Sequence, residues 1–439
     1  MLAMSAASAA TLPADADDAA PRDPLLDTLL TRAMTASPVV NAKRGEVSAA
    51  RHEVKAARWQ YTPTLSSNVQ KGSGSADLYS SSVRADQPLY AGGRIDAELD
   101  GAESRRRSAA LGVQETGLAI ALQVVSAYQS LQTAQAQVNS LASYRERLAA
   151  LNDTLTRRID SGVSPAGEMA LMNARLAQAR NDLAAARSSQ ANAATTLRRL
   201  VGDELPLQAQ APAAPATVPA TPPLCADNAS GDQQLQATLD TQPGVRRAIE
   251  DVDAARAAAR GQRAALRPAL TLRVEQPVGH VPDGVSRAAR VSVQLSFTPN
   301  AGLSSLSHAD AAEERVAVLT SQAEALRREA AQQIRTECAE QAAVGERAVG
   351  LVQARGYTSD VLASTTRLFL AGKRGWLDVL NAAREDFDNE QAIHAAVAAL
   401  RGSQYRLRLL AGAVDLGLVL PDDTAPPAPL TASVPGSSS

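Results

Sequence analysis

Aromatic residues are scarce in this sequence. Only 3% of its 439 residues are Phe, Trp or Tyr, and three are Phe, although 45% are hydrophobic. The apolar side chains are therefore mostly those of Ala, Leu and Val, which suit close contacts between helices better than a thick core. Excess positive charge is absent too, since the net charge is −2. Without a basic surface, we expect no nucleic-acid partner.

Clusters of reactive side chains are also missing. The two cysteines, Cys225 and Cys338, fit neither a disulfide framework nor a zinc site. We interpret them as two unpaired structural thiols, and a disulfide between them stays open. The four histidines are scattered, and the sequence has no HExxH and no Ser–His–Asp pattern. It therefore predicts no catalytic residue, no metal site and no cofactor, and we do not expect an enzyme.

A membrane-spanning helix is not expected, because no run of about 18 apolar residues occurs. Residues 1–23 lack the basic region of a signal peptide, since the first positive side chain is Arg22. Residues 5–10 are small, as they are near a signal cleavage site. We interpret residues 1–23 as the remnant of an export signal with a disordered N-terminus.

What the sequence does have is an internal repeat, which restricts the architecture strongly. Two prolines 25 residues apart recur 205 positions later. A glycine followed six residues later by an acidic residue recurs 210 positions later, and each copy reaches another glycine forty residues on. The matching residues are Pro38 with Pro243, Pro63 with Pro268, Gly162 with Gly372, Glu168 with Asp378, and Gly202 with Gly412.

Each copy predicts the same order of elements: a short helix, two strands, a long helix, a glycine turn and a second helix. We assign the first structural repeat to residues 24–205 and the second to residues 241–415. Residues 206–240 begin with a Pro/Ala-rich segment that cannot form a core, so they are predicted to be a linker. Residues 416–439 have the same character and are predicted to be a disordered tail.

Long helices are predicted where proline is missing, between Pro88 and Pro165 and in the corresponding part of the second copy. In the first span apolar residues recur every seven positions, which is the seam of a left-handed coiled coil. A helix over residues 94–158 would be roughly 97 Å long at about 1.5 Å per residue. The second copy, over residues 303–368, has a patchier pattern. The seam residues of the first copy are Val113, Ile120, Ala127, Ala134, Leu141, Leu148 and Leu155.

Strands are predicted where apolar and polar residues alternate, in residues 270–278 and 290–297 and, more weakly, in residues 65–69 and 83–89. One apolar and one polar face match a transmembrane β-barrel, but an ordinary half-buried hairpin has the same period of two. A closed barrel has at least about eight strands, and this chain supplies four. Closure therefore requires two or more copies, and three copies would supply twelve strands.

Three motifs occur in a specific order: QPLYAGGR at residues 87–94, the two glycine tips, and LxxLxG-like helix ends at residues 197–202 and 407–412. On these motifs the chain resembles the outer-membrane efflux proteins of the TolC family over about residues 24–415. The resemblance implies an α+β membrane protein. It would be a trimeric channel-tunnel with a 12-stranded β-barrel in the outer membrane, four strands per protomer, and a long α-helical coiled-coil barrel in the periplasm.

The resemblance also implies partners and no catalysis. A homotrimer would contact outer-membrane lipid through its barrel. At its helical end it would meet a periplasmic adaptor (a membrane fusion protein) and an inner-membrane ABC transporter or another pump. Only exposed hairpin tips face the inner membrane in such a molecule. The tip residues expected to contact the adaptor are Gly162, Val163, Ser164, Gly372 and Lys373.

The resemblance assigns a gate to the same tips. Asp378 matches an aspartate that forms a ring around the channel axis, and Asn381 occupies the place of a second ring aspartate. Arg374 matches an arginine that links neighbouring hairpins between protomers, and Glu168 has the place of its acidic partner. Phe369 stands where a tyrosine hydroxyl joins this link, so that contact is expected to be lost. An ordinary helix pair between Arg374 and Asp378, four residues apart, is the alternative.

We therefore predict an outer-membrane export duct that extends into the periplasm. The tip sequence KRGWLDVLNAARE, residues 373–385, is most similar to family members that serve type I protein secretion. Multidrug or small-molecule efflux is the alternative within transport. A soluble periplasmic coiled-coil scaffold is the alternative from another class, and the need for detergent during extraction would separate it from a duct.

Overall fold

The computed structural model describes residues 23–72, 78–202, 221–278, 288–297 and 304–418. Helices and strands follow one another in the same order twice. The first repeat contains α1 (Pro24–Ala36), α2 (Pro38–Trp59), β1 (Thr64–Gly72), β2 (Leu78–Tyr90), α3 (Arg94–Asp160) and α4 (Gly167–Val201). The second contains α5 (Ala229–Thr241), α6 (Pro243–Ala264), β3 (Ala269–Val278), β4 (Arg290–Ser296), α7 (Ser304–Leu370) and α8 (Trp376–Leu410).

Corresponding helices have equal lengths. They have 13 residues in α1 and α5, 22 in α2 and α6, 67 in α3 and α7 and 35 in α4 and α8. The predicted internal repeat is therefore confirmed. All but the last residue of α5 lies within the predicted linker of residues 206–240, so this part of the linker is helical and belongs to the second repeat. The predictions for residues 1–22, 206–220 and 419–439 concern segments outside the described residues.

The first long helix, α3, has the buried seam that its sequence predicts. All seven seam residues from Val113 to Leu155 are buried. The helix begins after Gly93, whose φ is +90°, a left-handed conformation that costs glycine little. At about 1.5 Å per residue, α3 and α7 are each about 100 Å long. Both helices therefore need neighbours over a length that no compact domain provides.

The helices form one layer. In the lower half, next to the glycine turns, α4 packs on α3, α3 on α8, and α8 on α7. In the upper half α2 packs on α3, and α6 packs on both α3 and α7. α3 is thus an interior helix of the layer along its whole length. α7 lies at one edge, whereas α2 and α4 lie at the other.

Three clusters of buried apolar side chains hold this layer together. The first packs α1 against α3 and the ends of α4 and α8, around Leu29, Val124 and Leu197. The second packs the first halves of α4 and α8 against α3 near the glycine turns, around Leu148 and Trp376. The third packs α5 against α7 and the end of α8.

The strands form one antiparallel sheet in the order β1-β2-β3-β4. Strand β2 pairs with β3, so the two repeats are joined at the centre of the sheet. The register places apolar side chains of neighbouring strands opposite one another, as in the pairs Leu272 with Val293 and Val274 with Val291. Arg84 lies opposite Glu275, and Asp86 lies opposite Arg273, on the other face.

The apolar face of the sheet is uncovered. Leu65 is 75% exposed and Val293 is 60% exposed, because the described helices pack on helices rather than across the strands. The polar face carries its charges in pairs: Arg273 Nε lies 2.7 Å from Asp86 Oδ1, and Arg84 Nη2 lies 3.5 Å from Glu275 Oε1. The sheet therefore has the two-sided pattern of a barrel wall, apolar outside and polar inside.

The two cysteines are bonded to each other. Cys225, in a 3₁₀ turn before α5, forms a disulfide with Cys338 of α7, and their Cα atoms are 5.4 Å apart. The interpretation of two unpaired thiols was therefore wrong. The partners are 113 residues apart in the sequence, so their proximity depends on how α5 packs across α7, which no local pattern reveals.

One window of α3 is long and apolar enough to cross a membrane by length and composition alone. Half of that window is buried inside the protein. A core helix passes the same test, so this single helix is weak evidence for a membrane span.

Candidate functional site

Two turns close the helical hairpins, one between α3 and α4 and the other between α7 and α8. In each, the glycine N–H donates to the carbonyl three residues back, and the next N–H donates to the carbonyl five residues back, all at 2.9 Å. The donors are Gly162 and Val163 in one turn and Gly372 and Lys373 in the other. Both glycines have φ of +75°, which this type of helix end requires. The repeated glycine is thus a backbone requirement of two identical turns.

The residues predicted to contact an adaptor occupy these turns. Val163 is 61% exposed, Ser164 is half-buried, and the remaining three are exposed. The turns are the ends of the two hairpins and are therefore accessible to another protein. Contact of all five residues with an adaptor remains a prediction.

Asp378 stabilises the start of α8. Asp378 is the N3 residue of this helix, and its Oδ2 accepts a hydrogen bond from the N–H of the N-cap residue Gly375 at 3.3 Å. The Arg374 guanidinium lies 3.8 Å from the same oxygen, and both side chains are about half exposed. Within one protomer Arg374 therefore forms the helix pair that the sequence left as the alternative.

Glu168 occupies the same place in the other turn without such a partner. Its Oε2 is buried and has no hydrogen-bond partner among the described residues. A buried carboxylate oxygen costs free energy unless a donor satisfies it. The predicted link between Arg374 and Glu168 is absent within the described protomer, so it remains a prediction for the contact between neighbouring protomers.

Phe369 is buried at the end of α7 and contacts the other hairpin. Its ring centroid lies 5.0 Å from that of Trp376, and the Arg158 guanidinium lies 4.6 Å above its face. Arg158 Nη1 also donates to the Leu370 carbonyl at 3.1 Å. Arg158 therefore connects the end of α3 to the end of α7 through a cation–π contact and a hydrogen bond.

Sequence reasoning missed Arg158 because a basic residue in the last turn of a helix is ordinary. Its repeat counterpart is Leu368, and this asymmetry was the available signal. The predicted loss of a hydroxyl contact at Phe369 concerns neighbouring protomers and remains a prediction. Within the protomer the aromatic ring has a different partner, the guanidinium of Arg158.

The first turns of α8 have an inner and an outer face. Trp376, Val379 and Leu380 are buried in the tip cluster, whereas Asn381 is exposed and Asp378 is half-buried. Asp378 and Asn381 are three residues apart and therefore lie on one face of the helix. This geometry places the two predicted ring residues side by side.

A second polar site lies further along the hairpins, where α3, α7 and α8 meet. Arg147 donates to Asp386 at 2.6 Å and to Glu390 at 3.3 Å. Arg355 of α7 lies 3.5 Å from Glu390, and Thr358 donates to Asp386 at 3.4 Å. The Asp386 side chain is only 5% exposed, so its charge depends on these partners.

His394 borders this network, with Nε2 at 3.9 Å from Glu390 Oε1. Burial lowers the pKa of the imidazole, and the nearby Arg355 lowers it further, while Glu390 raises it. We infer that the ring is largely neutral at pH 7, since its ordinary pKa is about 6.5. The sequence showed these residues only as scattered charges on three helices.

Neither site has the arrangement of a metal centre. Among residues 23–72, 78–202, 221–278, 288–297 and 304–418, no three His, Cys, Asp or Glu side chains are grouped to hold a metal ion. The tip instead presents exposed loops, one half-buried aspartate and an arginine contact between hairpins. Such groups can recognise a protein surface and can attract cations at a constriction.

Known proteins share this architecture. Residues 29–203, which correspond to the first repeat, match the family model described as outer membrane efflux protein. No curated protein sequence matches the chain.

Several solved structures have the same fold. The outer-membrane channel OprN is 19% identical, with a TM-score of 0.75 over 89% of this chain and 90% of that chain. CusC is 16% identical, with a TM-score of 0.76 over 89% and 92%. The outer membrane protein VceC of Vibrio cholerae is 17% identical, with a TM-score of 0.74 over 88% and 96%.

These likenesses extend over nearly the whole of each chain. At such low identity they establish the fold alone. The family match rests on the first repeat, and the second repeat has the same elements in the same order. The first repeat therefore matches the outer membrane efflux protein family, and the chain as a whole has the protomer fold of OprN, CusC and VceC.

Proposed function

We propose that three copies of this chain form an export duct for type I protein secretion. The observation that carries the duct is the uncovered apolar face of the sheet. A water-soluble scaffold would bury such a face, whereas lipid covers it in a barrel wall. Three sheets supply twelve strands, and the edge helix α7 of one copy meets α2 and α4 of the next. No reaction is assigned to the chain, because its sites suit recognition and gating.

The two faces of strand β4 provide a test of the barrel. Val293 lies on the apolar face and is 60% exposed, and Gln294 lies on the opposite face. A charge facing lipid at mid-depth costs about 2–4 kcal/mol. Val293→Arg should therefore prevent assembly of detergent-extractable trimers in the outer membrane, while Gln294→Arg should allow it. Equal assembly of both variants, or extraction of the wild type without detergent, would refute the duct.

We assign the proposed gate to the tips. Three copies of Asp378 would form a negative constriction, where like charges at close range attract cations. Arg374 would leave its pair with Asp378 and link to Glu168 of a neighbouring protomer. The exposed pair with Asp378 stabilises the protomer by only about 0–1 kcal/mol, so breaking it costs little. Such a donor would satisfy the unpartnered Glu168 oxygen. Arg158 and Phe369 would keep the two hairpins of one protomer together.

An adaptor is the proposed partner at the helical end. Gly162, Val163, Ser164, Gly372 and Lys373 surround the exposed turns, and a trimer would present six such turns. Weak contacts at each turn would then be multiplied by symmetry. An inner-membrane ABC transporter is the proposed source of the cargo, and outer-membrane lipid surrounds the barrel.

The cargo class rests on the tip sequence at residues 373–385, which is most similar to secretion members of the family. Small-molecule efflux is the second candidate, because the matching family model is described by efflux. Deleting the gene distinguishes protein secretion from small-molecule efflux, and restoring the intact gene is the control. Loss of a large protein from the culture medium, with unchanged susceptibility to drugs, would support secretion. Increased drug susceptibility with unchanged secreted protein would establish efflux instead.

A further inference from the structure

The two short helices that lie across the long ones are attached by different means. α1 and α5 have the same length and the same place in their repeats, offset by 205 residues. Each starts after a side-chain cap, Asp23 or Asn228. Each is followed by a helix that begins with proline. Because the two helices share the same backbone arrangement, the difference in how they are attached arises from their side chains.

α1 is held by apolar burial. Its buried side chains face α3 and the ends of α4 and α8. Asp23 adds a hydrogen bond from the Tyr128 hydroxyl at 2.7 Å. Burial of the phenol, followed by this bond, raises the pKa of Tyr128, so the hydroxyl remains a donor at neutral pH. The buried residues are Leu26, Leu29, Leu30, Ala33 and Met34.

α5 lacks most of this apolar surface. Leu235 and Leu239 are buried and correspond to Leu30 and Met34. The other three positions hold Gly231, Gln234 and Thr238, in place of Leu26, Leu29 and Ala33. α5 buries less apolar area than α1, and the stabilising free energy of burial increases with the apolar area removed from water. Apolar burial therefore holds α5 less firmly than α1.

Ion pairs do not replace the missing area. Arg327 of α7 contacts Asp240 at 2.7 Å, and Arg335 contacts Asp232 at 3.7 Å. At least one partner in each pair is mostly exposed, and exposed pairs contribute little. A buried hydrogen bond from the Gln242 amide to the Leu410 carbonyl, at 2.6 Å, holds the end of α5.

The disulfide holds the start of α5. Cys225 is bonded to Cys338 of α7, and the next residue packs tightly on the first turn of α5. Gly231 is buried there, and a Cβ at this position would collide with the Ala226 carbonyl oxygen. The segment that carries Cys225 therefore cannot move away from α7 without releasing the first turn of α5.

We propose that α5 is a redox-dependent strap, held against α7 and α8 by the Cys225–Cys338 disulfide and released by a thiol reductant. The oxidant is a protein disulfide of the periplasm. One thiolate attacks it to form a mixed disulfide, and the second thiolate displaces the oxidant as a dithiol. Two thiols thus lose two electrons and two protons, which the oxidant accepts. The folded second repeat holds the two cysteines together, because α5 lies on α7.

Hydrogen exchange of the full-length protein in detergent tests the proposal, with α1 as an internal control. The assembled, oxidised protein is treated with a phosphine reductant, and alkylation followed by mass measurement verifies complete reduction. Amides of residues 229–241 should then exchange at least about tenfold faster, as expected for local opening. Amides of residues 24–36 should be unaffected.

A double variant, Cys225→Ser with Cys338→Ser, provides the second arm. Its α5 should exchange as fast as in the reduced wild type and should not respond to the reductant. Unchanged exchange of α5 after complete reduction would overturn the proposal even if the double variant failed to assemble. Equal acceleration in α1 and α5 would also overturn it, since reduction would then loosen the protein globally.

Discussion

The helices α3 and α7 share a length, a place in the repeat and a glycine turn at their end, yet they differ in burial. α3 buries side chains from Ile95 to Leu155. α7 leaves Val318, Tyr357 and Val361 largely exposed. The reason is position, since α3 is interior in the layer and α7 is at its edge. The comparison shows that two helices of the same length and position in the repeat can have different surfaces, one buried within the chain and one exposed at its edge.

The exposed residues of α7 account for its patchy seam. Exposed apolar side chains such as these mark a surface that another chain can cover. The residues at the other edge, on α2 and α4, are the surfaces that a second copy can bring. The irregular apolar pattern of α7 is therefore explained by its position at the edge of the helix layer, not by a weak tendency to form a helix.

Truncating a seam residue should reveal this difference most strongly. Leu148 of α3 is fully buried, and Leu148→Ala should lower the free energy of unfolding by about 2–5 kcal/mol. Tyr357 of α7 is 74% exposed in the protomer. Tyr357→Ala should leave helix content intact and lower the temperature at which trimers dissociate. Unfolding and cross-linking in detergent measure both, and equal effects on trimer dissociation would contradict the edge position of α7.

Charge pairs should follow the same division. Arg147 of α3 is the main partner of buried Asp386, and removing one member of a buried pair costs about 3–5 kcal/mol. Arg147 is itself a third exposed, so Arg147→Met should cost roughly half of that figure. Denaturant unfolding would measure the change.

Arg328 of α7 provides the control for this variant. It pairs with Glu324, and both side chains are mostly exposed. Arg328→Met should therefore change the free energy of unfolding by less than about 1 kcal/mol. A larger effect at Arg328 than at Arg147 would show that the network between α3, α7 and α8 is not important for stability.

The two tips allow a finer comparison, in conductance rather than stability. Asp378→Ala should weaken the block of trimer conductance by trivalent cations by about tenfold, which corresponds to about 1.4 kcal/mol. Asn381→Asp should strengthen the block, because it adds a second carboxylate to the same face. Planar-bilayer recordings test both variants. If neither changes the block, the constriction lies elsewhere and the tip residues do not form the ring.

The smallest expected effect concerns pH. Burial lowers the pKa of His394 below its ordinary value of about 6.5. The folded protein then binds this proton less well than the unfolded chain, so stability falls as pH drops from about 6.5 through the folded pKa. His394→Gln should reduce the loss of melting temperature between pH 7.5 and 5. An identical pH profile in both proteins would show that Glu390 compensates the effect of burial on His394.

Much of the fold was predictable because its periods are local. A seam with a period of 3.5 residues identifies α3, a period of two identifies the strand faces, and glycine marks both turns. The repeat in the sequence corresponds to equal helix lengths in the structure. The gate assignments at Asp378, Asn381, Arg374 and Glu168 remain predictions, since they depend on neighbouring protomers.

Other features depended on contacts between distant segments. The burial difference between α3 and α7 arises from lateral order in the layer, and the disulfide arises because α5 crosses α7. Arg158 meets Phe369 although 211 positions separate them in the sequence, and no spacing rule connects such residues.

The sequence by itself determined the repeated backbone of this protein: two long helices, four strands with opposite faces, and two glycine turns. Hydrophobic period and backbone conformation act within a few residues, so they can be read along the chain. The tertiary structure alone decided which helix is interior, which cysteines pair and which charges are buried together. Those outcomes follow from the lateral packing of different helices, where neighbours in space are not neighbours in sequence.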